Sequence, residues 1–321
     1  MTDRPQDRRP RAAFYCMSSG IYFLGAVGMI NSLRLVGHDE PIFLLDCGLT
    51  PRQQRLLRPH VTLVPGPRDL PPYVLKTIAP RRHPAEVRIL IDSDIIVTRP
   101  LVDLIAEASQ GRVIAARNDT DRFVPEWGEL LGLGELRRQP YVSSGLVVLG
   151  QPAGDEVLDL MDDMRERVDP DLTFRSRNDP GYAFLYLEQD ILNAILASRA
   201  RRDELMPLPH RMVPNPPFGG LRVLDQATLR CAYDDGTEPY ALHHYGTKPW
   251  LEPTRDGPYS HLLRRLLARP DVTMRIREEE LPPRLGSGAR AWLDRKRVDA
   301  SETFYWHVRE PLATLLRARG R

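Results

Sequence analysis

Three cysteines, hardly any lysine, almost no net charge and no long apolar run are the first features of this 321-residue chain. Cys16, Cys47 and Cys231 are too few, too far apart and too odd in number for a disulfide framework or a zinc pattern of paired C-x-x-C units. They read as small buried apolar side chains in a reducing compartment. The formal charge is +2, from 45 basic and 43 acidic residues, so nothing argues for nucleic acid, which calls for a clearly basic face. No stretch approaches the roughly 20 apolar residues that span a bilayer. Residues 1–11 are polar, with two prolines and four arginines, and lack the apolar core of a secretory signal. They read as a flexible N-terminus. These absences predict a cytoplasmic protein, one that touches a membrane surface at most. The scarcity of lysine beside arginine, and the 30 prolines, read as background composition.

What is present is 42% hydrophobic residues, enough for a sizeable core. Residues 12–16 form a short apolar run that ends in Met17-Ser18-Ser19-Gly20, a buried strand and its turn. Tyr22 to Val36 carries apolar residues at helical spacing and stops at Gly37. Strands are expected at 41–46 and 61–64, with a polar helix near 50–58 between them. This alternation predicts an α/β fold, a mostly parallel sheet with helices on both faces. A fourth strand is expected over 87–97, others at 112–116 and 141–149, and helices at 155–168 and 188–198. Beyond Trp250 the chain turns helical and Arg-rich, with 15 basic against 10 acidic residues in 251–321.

The fourth strand holds the first chemical signal, Asp92-Ser93-Asp94, with apolar residues on both sides. Acids two apart share a face of a regular strand, and here they stand where a buried strand ends. Ligands collect at the carboxyl ends of strands in open parallel sheets. A hard divalent ion uses one or two carboxylates and completes its shell with diphosphate oxygens and water. Such an ion neutralises charge on a departing nucleotide diphosphate. A lone Asp-x-Asp is most often a solvated pair, but two apolar flanks make uncompensated carboxylates costly. The second signal is His243-His244-Tyr245-Gly246-Thr247-Lys248-Pro249-Trp250: a metal-ligating imidazole, a glycine that admits a phosphate, and a cation. Read alone, it is equally a surface turn closed by Gly and Pro. The third is Glu188-Gln189-Asp190, which by itself reads as acid capping of a helix N-terminus.

In this order and spacing, these segments resemble the GT-A glycosyltransferases of the family that includes glycogenin and the bacterial lipooligosaccharide galactosyltransferases. The resemblance covers about residues 12–250. Ile89-Leu-Ile-Asp92-Ser93-Asp94-Ile-Ile-Val97 looks like that family's Asp-x-Asp strand, and Tyr141-Val-Ser143-Ser144-Gly145 like its Asn-Ser-Gly strand beside the donor sugar. Glu188-Gln189-Asp190-Ile-Leu-Asn193 is similar to its Asp-Gln-Asp-x-x-Asn helix start. The 243–250 segment looks like its C-terminal His-x-x-Gly-x-x-Lys-Pro-Trp. The resemblance implies a GT-A fold (Rossmann-like, with a helical C-terminal segment) and a retaining hexosyltransferase using a nucleotide-diphosphate sugar, UDP-sugar favoured, with Mn²⁺ or Mg²⁺. It implies Asp92 on ribose and metal, Asp94 on the metal, and His243 or His244 as the remaining protein ligand. Gly246 and Lys248 would hold the β-phosphate, with Lys76 near the diphosphate. Gln189 would lie under the anomeric carbon and Asp190 would bind donor-sugar hydroxyls. With no strong nucleophile at 189, it implies a front-face reaction in which the leaving phosphate helps deprotonate the acceptor.

Three positions depart from the family pattern. Ser18-Ser19-Gly20-Ile21-Tyr22 replaces the Asp and Asn residues that read uracil and ribose, leaving Ser18 and Tyr22, with Ser93, as the donor-side candidates there. Glu188 replaces an Asp, and one residue is missing between Gly246 and Lys248. His243 keeps the His-x-x-Gly spacing while His244 keeps the His-Tyr pairing. Two other functions fit the same residues: a catalytically silent nucleotide-sugar or glycan binder, and a metal-dependent phosphohydrolase, though the latter calls for a second acidic cluster that is not evident. Residues 259–268 and 304–319 mix Leu, aromatics and Arg at helical spacing. They read as a helical cap with its Leu face on the core, or as a basic surface for anionic lipid or an acidic acceptor. The acceptor class, whether glycan, lipid, protein or small natural product, is open.

Overall fold

The structure is a computed structural model, and it describes residues 9–67, 75–174, 176–179, 181–198, 204–252, 257–286 and 288–304. The first apolar run forms strand β1 (Ala12–Ser18). Its side chains alternate as a strand demands: Ala12, Phe14 and Cys16 enter one core, Ala13 and Tyr15 the other. A 3-10 turn at Gly20–Tyr22 leads into helix α1 (Phe23–Leu35). Gly37, at φ +92°, takes the left-handed conformation that ends the helix, and its N–H returns to the Arg34 carbonyl. Strand β2 (Ile42–Asp46), helix α2 (Pro51–Leu57) and strand β3 (Thr62–Pro65) follow. Thr50 and Gln53 form a capping box at the start of α2, with Pro51 at its first position.

Helix α3 (Ile78–Arg82) precedes strand β4 (Val87–Ile91), which is buried at every residue. Strand β5 (Ile95–Val97), helix α4 (Val102–Ala108), strand β6 (Val113–Arg117), helix α5 (Trp127–Leu131), strand β7 (Val142–Gly150), helix α6 (Ala153–Arg165) and helix α7 (Glu188–Ser198) come next. Strand β8 (Leu205–Leu208), the antiparallel pair β9 (Leu221–Asp225) and β10 (Arg230–Tyr233), and strand β11 (Ala241–His243) complete the strands. The main sheet has the order β3-β2-β1-β4-β7-β6-β8. All neighbours are parallel except the two pairs made by β7, which runs against β4 and β6. The fold is thus the expected mostly parallel α/β sheet covered on both faces.

The expected single strand over 87–97 is corrected. It ends at Ile91; Asp92-Ser93-Asp94 form a turn, closed by the Ile95 N–H donating to the Asp92 carbonyl at 3.1 Å. β5 then leaves the main sheet and pairs antiparallel with β11, setting Ile95 opposite His243. The two acids therefore do not share a face by strand alternation. The turn itself brings them to one place, at the end of β4. This is a switch point of the sheet: β2 lies on one side of β1 and β4 on the other.

Helix α8 (Pro258–Ala268) lays Leu262, Leu263, Leu266 and Leu267 into the core, each fully buried. A Cβ at Gly28 would stand 2.7 Å from Leu263 Cδ1, so glycine lets α1 and α8 approach. Asn31 of α1 donates to the carbonyls of Leu266 and Met274, both at 2.7 Å, and accepts the Met274 N–H at 2.9 Å. Helix α9 (Ala289–Phe304) ends the described chain. Residues 1–8, and nearly all of the helix expected at 304–319, lie outside the described residues. No described helix is long and apolar enough to cross a membrane.

Candidate active site

Four pieces of chain converge on the Asp92-Ser93-Asp94 turn. β7 runs beside β4, and the Asp92 N–H donates to the Gly145 carbonyl at 2.8 Å. β11 delivers His243 through its register with β5. The His243 Nε2 lies 3.3 Å from Asp94 Oδ1 and 3.8 Å from Asp92 Oδ2. Gly145 makes the room: a Cβ there would fall 2.5 Å from His243 Cε1. The start of α7 and the segment before α3 close the far side with Glu188 and Lys76.

Two of the chain's three lysines stand here. Lys76 Nζ lies 2.8 Å from Asp92 Oδ1 and 3.5 Å from Glu188 Oε1, and donates to the Ser144 carbonyl at 3.0 Å. Burial alone would depress its ammonium, but Asp92 and Glu188 outweigh that and hold its pKa above the ordinary value. Lys248 ion-pairs with Asp94 Oδ2 and donates to the His244 carbonyl at 2.6 Å. Burial would raise the Asp94 carboxyl, yet Lys248 and His243 hold it well below the usual carboxylate range.

The donor set suits a hard divalent ion. One carboxylate oxygen from each of Asp92 and Asp94 and one His243 nitrogen lie within 4.8 Å of one another. Asp94 Oδ1 is buried and, despite the nearby imidazole, has no hydrogen bond of acceptable geometry. A buried carboxylate oxygen without a hydrogen bond, beside two other possible ligand atoms, is a place that could accommodate a cation.

The two histidines left open by the sequence face different ways. His243 joins the carboxylates, whereas His244 turns into the core, 4.9 Å from the Tyr259 ring and 5.9 Å from that of Phe218. Burial, then Lys248, push the His244 pKa down to about 4, and its Nδ1 has no hydrogen-bond partner.

The α7 start also divides its residues. Gln189 accepts the Ser144 N–H at 3.2 Å and donates to Tyr141 Oη at 3.0 Å. Asp190, expected on sugar hydroxyls, is fully buried and spent on protein groups. It accepts from Tyr141 Oη at 2.5 Å, Arg122 Nε at 3.1 Å and the Tyr186 N–H at 2.9 Å. Burial raises its carboxyl above the ordinary value, against the pull of Tyr141 and Arg122. Glu188 is the acid of this segment that faces Lys76 and Ser144. Sequence reading passed over it as a site residue. Helical periodicity carried the signal, since positions two apart point about 200° from one another.

The remaining candidates are peripheral or architectural. Ser18 is buried at the end of β1, its carbonyl accepting the Cys47 N–H. Ser93 is buried in the turn, and its carbonyl lies where a Cβ on Gly25 would be 2.5 Å away. Ser143 Oγ accepts the Gly145 N–H at 3.2 Å. The Tyr22 ring centroid is 5.9 Å from Lys248 Nζ. Gly246 sits exposed at φ +77°, a conformation that favours glycine. Trp250 anchors the segment, donating Nε1–H to the Ile21 carbonyl at 2.8 Å.

Fold and site together define a mostly parallel α/β sheet with Asp92, Asp94 and His243 grouped at its switch point, where they could hold a cation. No family model matches the chain, and no curated protein does. Solved structures do match in fold. An active-site Gln-to-Glu mutant of LgtC superposes with a TM-score of 0.54 at 10% identity, covering 83% of this chain and 98% of that one. WbbM, a bifunctional glycosyltransferase in its apo form, gives 0.52 at 15% identity over 84% of this chain. This chain spans about half of WbbM, 51% of its length.

Proposed function

We propose that this protein is a metal-dependent, retaining glycosyltransferase that moves a hexose from a nucleotide-diphosphate sugar, a UDP-sugar favoured, to an acceptor hydroxyl. The observation that carries the reading is the convergence of Asp92, Asp94 and His243 between two lysines at the switch point of a glycosyltransferase-like fold. A Mn²⁺ or Mg²⁺ ion held by those three residues supplies Lewis-acid charge neutralisation at the donor diphosphate.

Lys248 and Lys76 add positive charge beside that diphosphate; each is now neutralised by an acid and exchanges part of that contact for phosphate oxygen. Gln189 offers an amide, which orients but cannot attack the anomeric carbon. Asp190 is too buried to touch sugar and acts as a positioning residue, tying Tyr141 of β7's approach to Arg122. Glu188 takes the role of hydroxyl acceptor for the donor sugar. With no strong nucleophile at position 189, the bond from the anomeric carbon to the phosphate oxygen breaks as the acceptor oxygen bonds on the same face. The acceptor proton passes to the departing phosphate oxygen, which leaves as the nucleotide diphosphate. The front-face course retains configuration.

The test is a panel of nucleotide sugars incubated with purified protein and Mn²⁺, reading nucleotide diphosphate released without added acceptor. Slow release from one donor, lost in Asp94→Ala and on chelation, supports the reading and names base and sugar. Metal-dependent nucleotide binding with no release, even with an acceptor library, leaves a silent binder on the same fold. No binding of any nucleotide sinks the assignment.

A further inference from the structure

A second charged site lies along the outer face of α8, independent of the reading above. An open groove of about 550 Å³ is lined by Arg264, Arg265, Arg269, Arg275 and Arg295, against the one lining carboxylate Glu278. Gln226, in the turn between β9 and β10, forms one wall. Five guanidiniums against Glu278 and the Arg265-paired Asp271 leave the groove lining with an excess of positive charge.

Arg265 makes this a built site. It is 6% exposed, held by the Gln226 carbonyl at 2.8 Å, the Ala227 carbonyl at 3.2 Å and Asp271 at 2.6 Å. Its Nη1 is nonetheless buried with no hydrogen-bond partner. Arg265 therefore stands in the groove wall as a fixed cation, paired with Asp271. Exposed Arg269 and Arg275 form no ion pair among the described residues and stand on the same groove.

The groove is remote from the metal position. α1 and α8 run side by side in the same direction, with Gly28 at Leu263 and Asn31 at Leu266. Tyr259 packs on His244 at the site end. Ten residues further on, Arg269 is roughly 15 Å along the helix from that contact.

We propose that this groove binds a phosphate-bearing anion, a diphosphate or a phosphate monoester, at a position distinct from the donor diphosphate. Planar guanidiniums match phosphate bidentately; Arg269 and Arg275 are the exposed members that can do so, beside the fixed charge of Arg265. The phosphate belongs to a soluble compound or to a lipid headgroup, and the test separates these.

Inorganic diphosphate is titrated into the full chain by calorimetry in EDTA, which removes any metal-mediated binding. Saturable binding is expected. In the double variant Arg269→Gln/Arg275→Gln, it weakens by about tenfold or more, the scale of losing two charge-assisted contacts. Both arginines are exposed, so thermal unfolding stays as in wild type; should it not, Arg275→Lys, which keeps charge but loses the fork, replaces the double variant. Flotation with phosphatidic acid and phosphatidylcholine vesicles follows. Binding to the former that diphosphate displaces assigns a headgroup; diphosphate binding alone assigns a soluble ligand. Absence of saturable binding, or binding that the variants leave unchanged, overturns the proposal.

Discussion

Replacing Gly145 by alanine puts a methyl carbon where the His243 ring now lies. The new Cβ would stand 2.5 Å from His243 Cε1 and 2.6 Å from Nδ1, distances no real Cβ tolerates. Neither partner yields easily. Gly145 belongs to β7, whose next residue pairs with Ile91 of β4, and His243 is pinned by its register with Ile95 and by its N–H to the Pro214 carbonyl at 3.0 Å. The imidazole must therefore rotate or the β5–β11 ribbon must shift. Overpacking of this kind costs about 1–3 kcal/mol, a fall of a few degrees in Tm. The larger effect falls on the cation. A displaced imidazole leaves two carboxylates, and Mn²⁺ affinity is expected to drop about 10–100-fold, the range seen when ligand orientation is lost. Thermal unfolding with and without Mn²⁺, alongside donor hydrolysis, reads both quantities. Gly145→Ala with wild-type Tm, an unchanged Mn²⁺-induced shift and unchanged hydrolysis would refute both the steric argument and His243 as a ligand.

Three further outcomes test other parts of the structure. Asp94→Ala removes the carboxylate from a buried ion pair with Lys248, so stability should fall by about 3–5 kcal/mol in chemical denaturation while donor turnover disappears. Asp190 carries a raised carboxyl pKa in the folded state, so its protonated form favours folding. That contribution is present below the ordinary carboxylate pKa and is lost as pH rises through the raised value, and Asp190→Asn should flatten this acid-side slope in a pH series of unfolding curves. Asn31→Ala deletes three hydrogen bonds joining α1 to α8 and the Met274 loop and orphans their backbone groups. A loss of about 2–5 kcal/mol is expected, with early proteolytic release of the C-terminal segment; wild-type stability would show that the Leu face alone holds α8.

Much of the fold was written in hydrophobic period and punctuation. Buried strands at 12–18, 42–46 and 113–117 are short apolar runs between Gly, Pro and Ser, and α7 begins and ends where its pattern does. The strand over 87–97 was the misleading case. Ile95-Ile-Val97 is as apolar as Ile89-Leu-Ile91, and local pattern cannot tell that its hydrogen-bond partner is β11, nearly 150 residues on, rather than β1 and β7. The helix at 258–268 was legible, and its Leu face packs on α1.

The chemistry divided along the same line. Residue type and order marked Asp92, Asp94, a histidine of the 243–244 pair, Lys248 and the α7 start as candidates for a cation and a diphosphate, and the family resemblance added Lys76. Which of these candidates stand together was a matter of direction. Adjacent residues leaving β11 point to opposite sides, so His243 meets the carboxylates while His244 meets Tyr259. On α7 the same rule at helical period sets Glu188 toward Lys76 and sends Asp190 into a closed network with Tyr141 and Arg122. Which groups a chain owns is a property of its sequence; which way each one faces is decided only when its neighbours in the sheet and helix layers take their places.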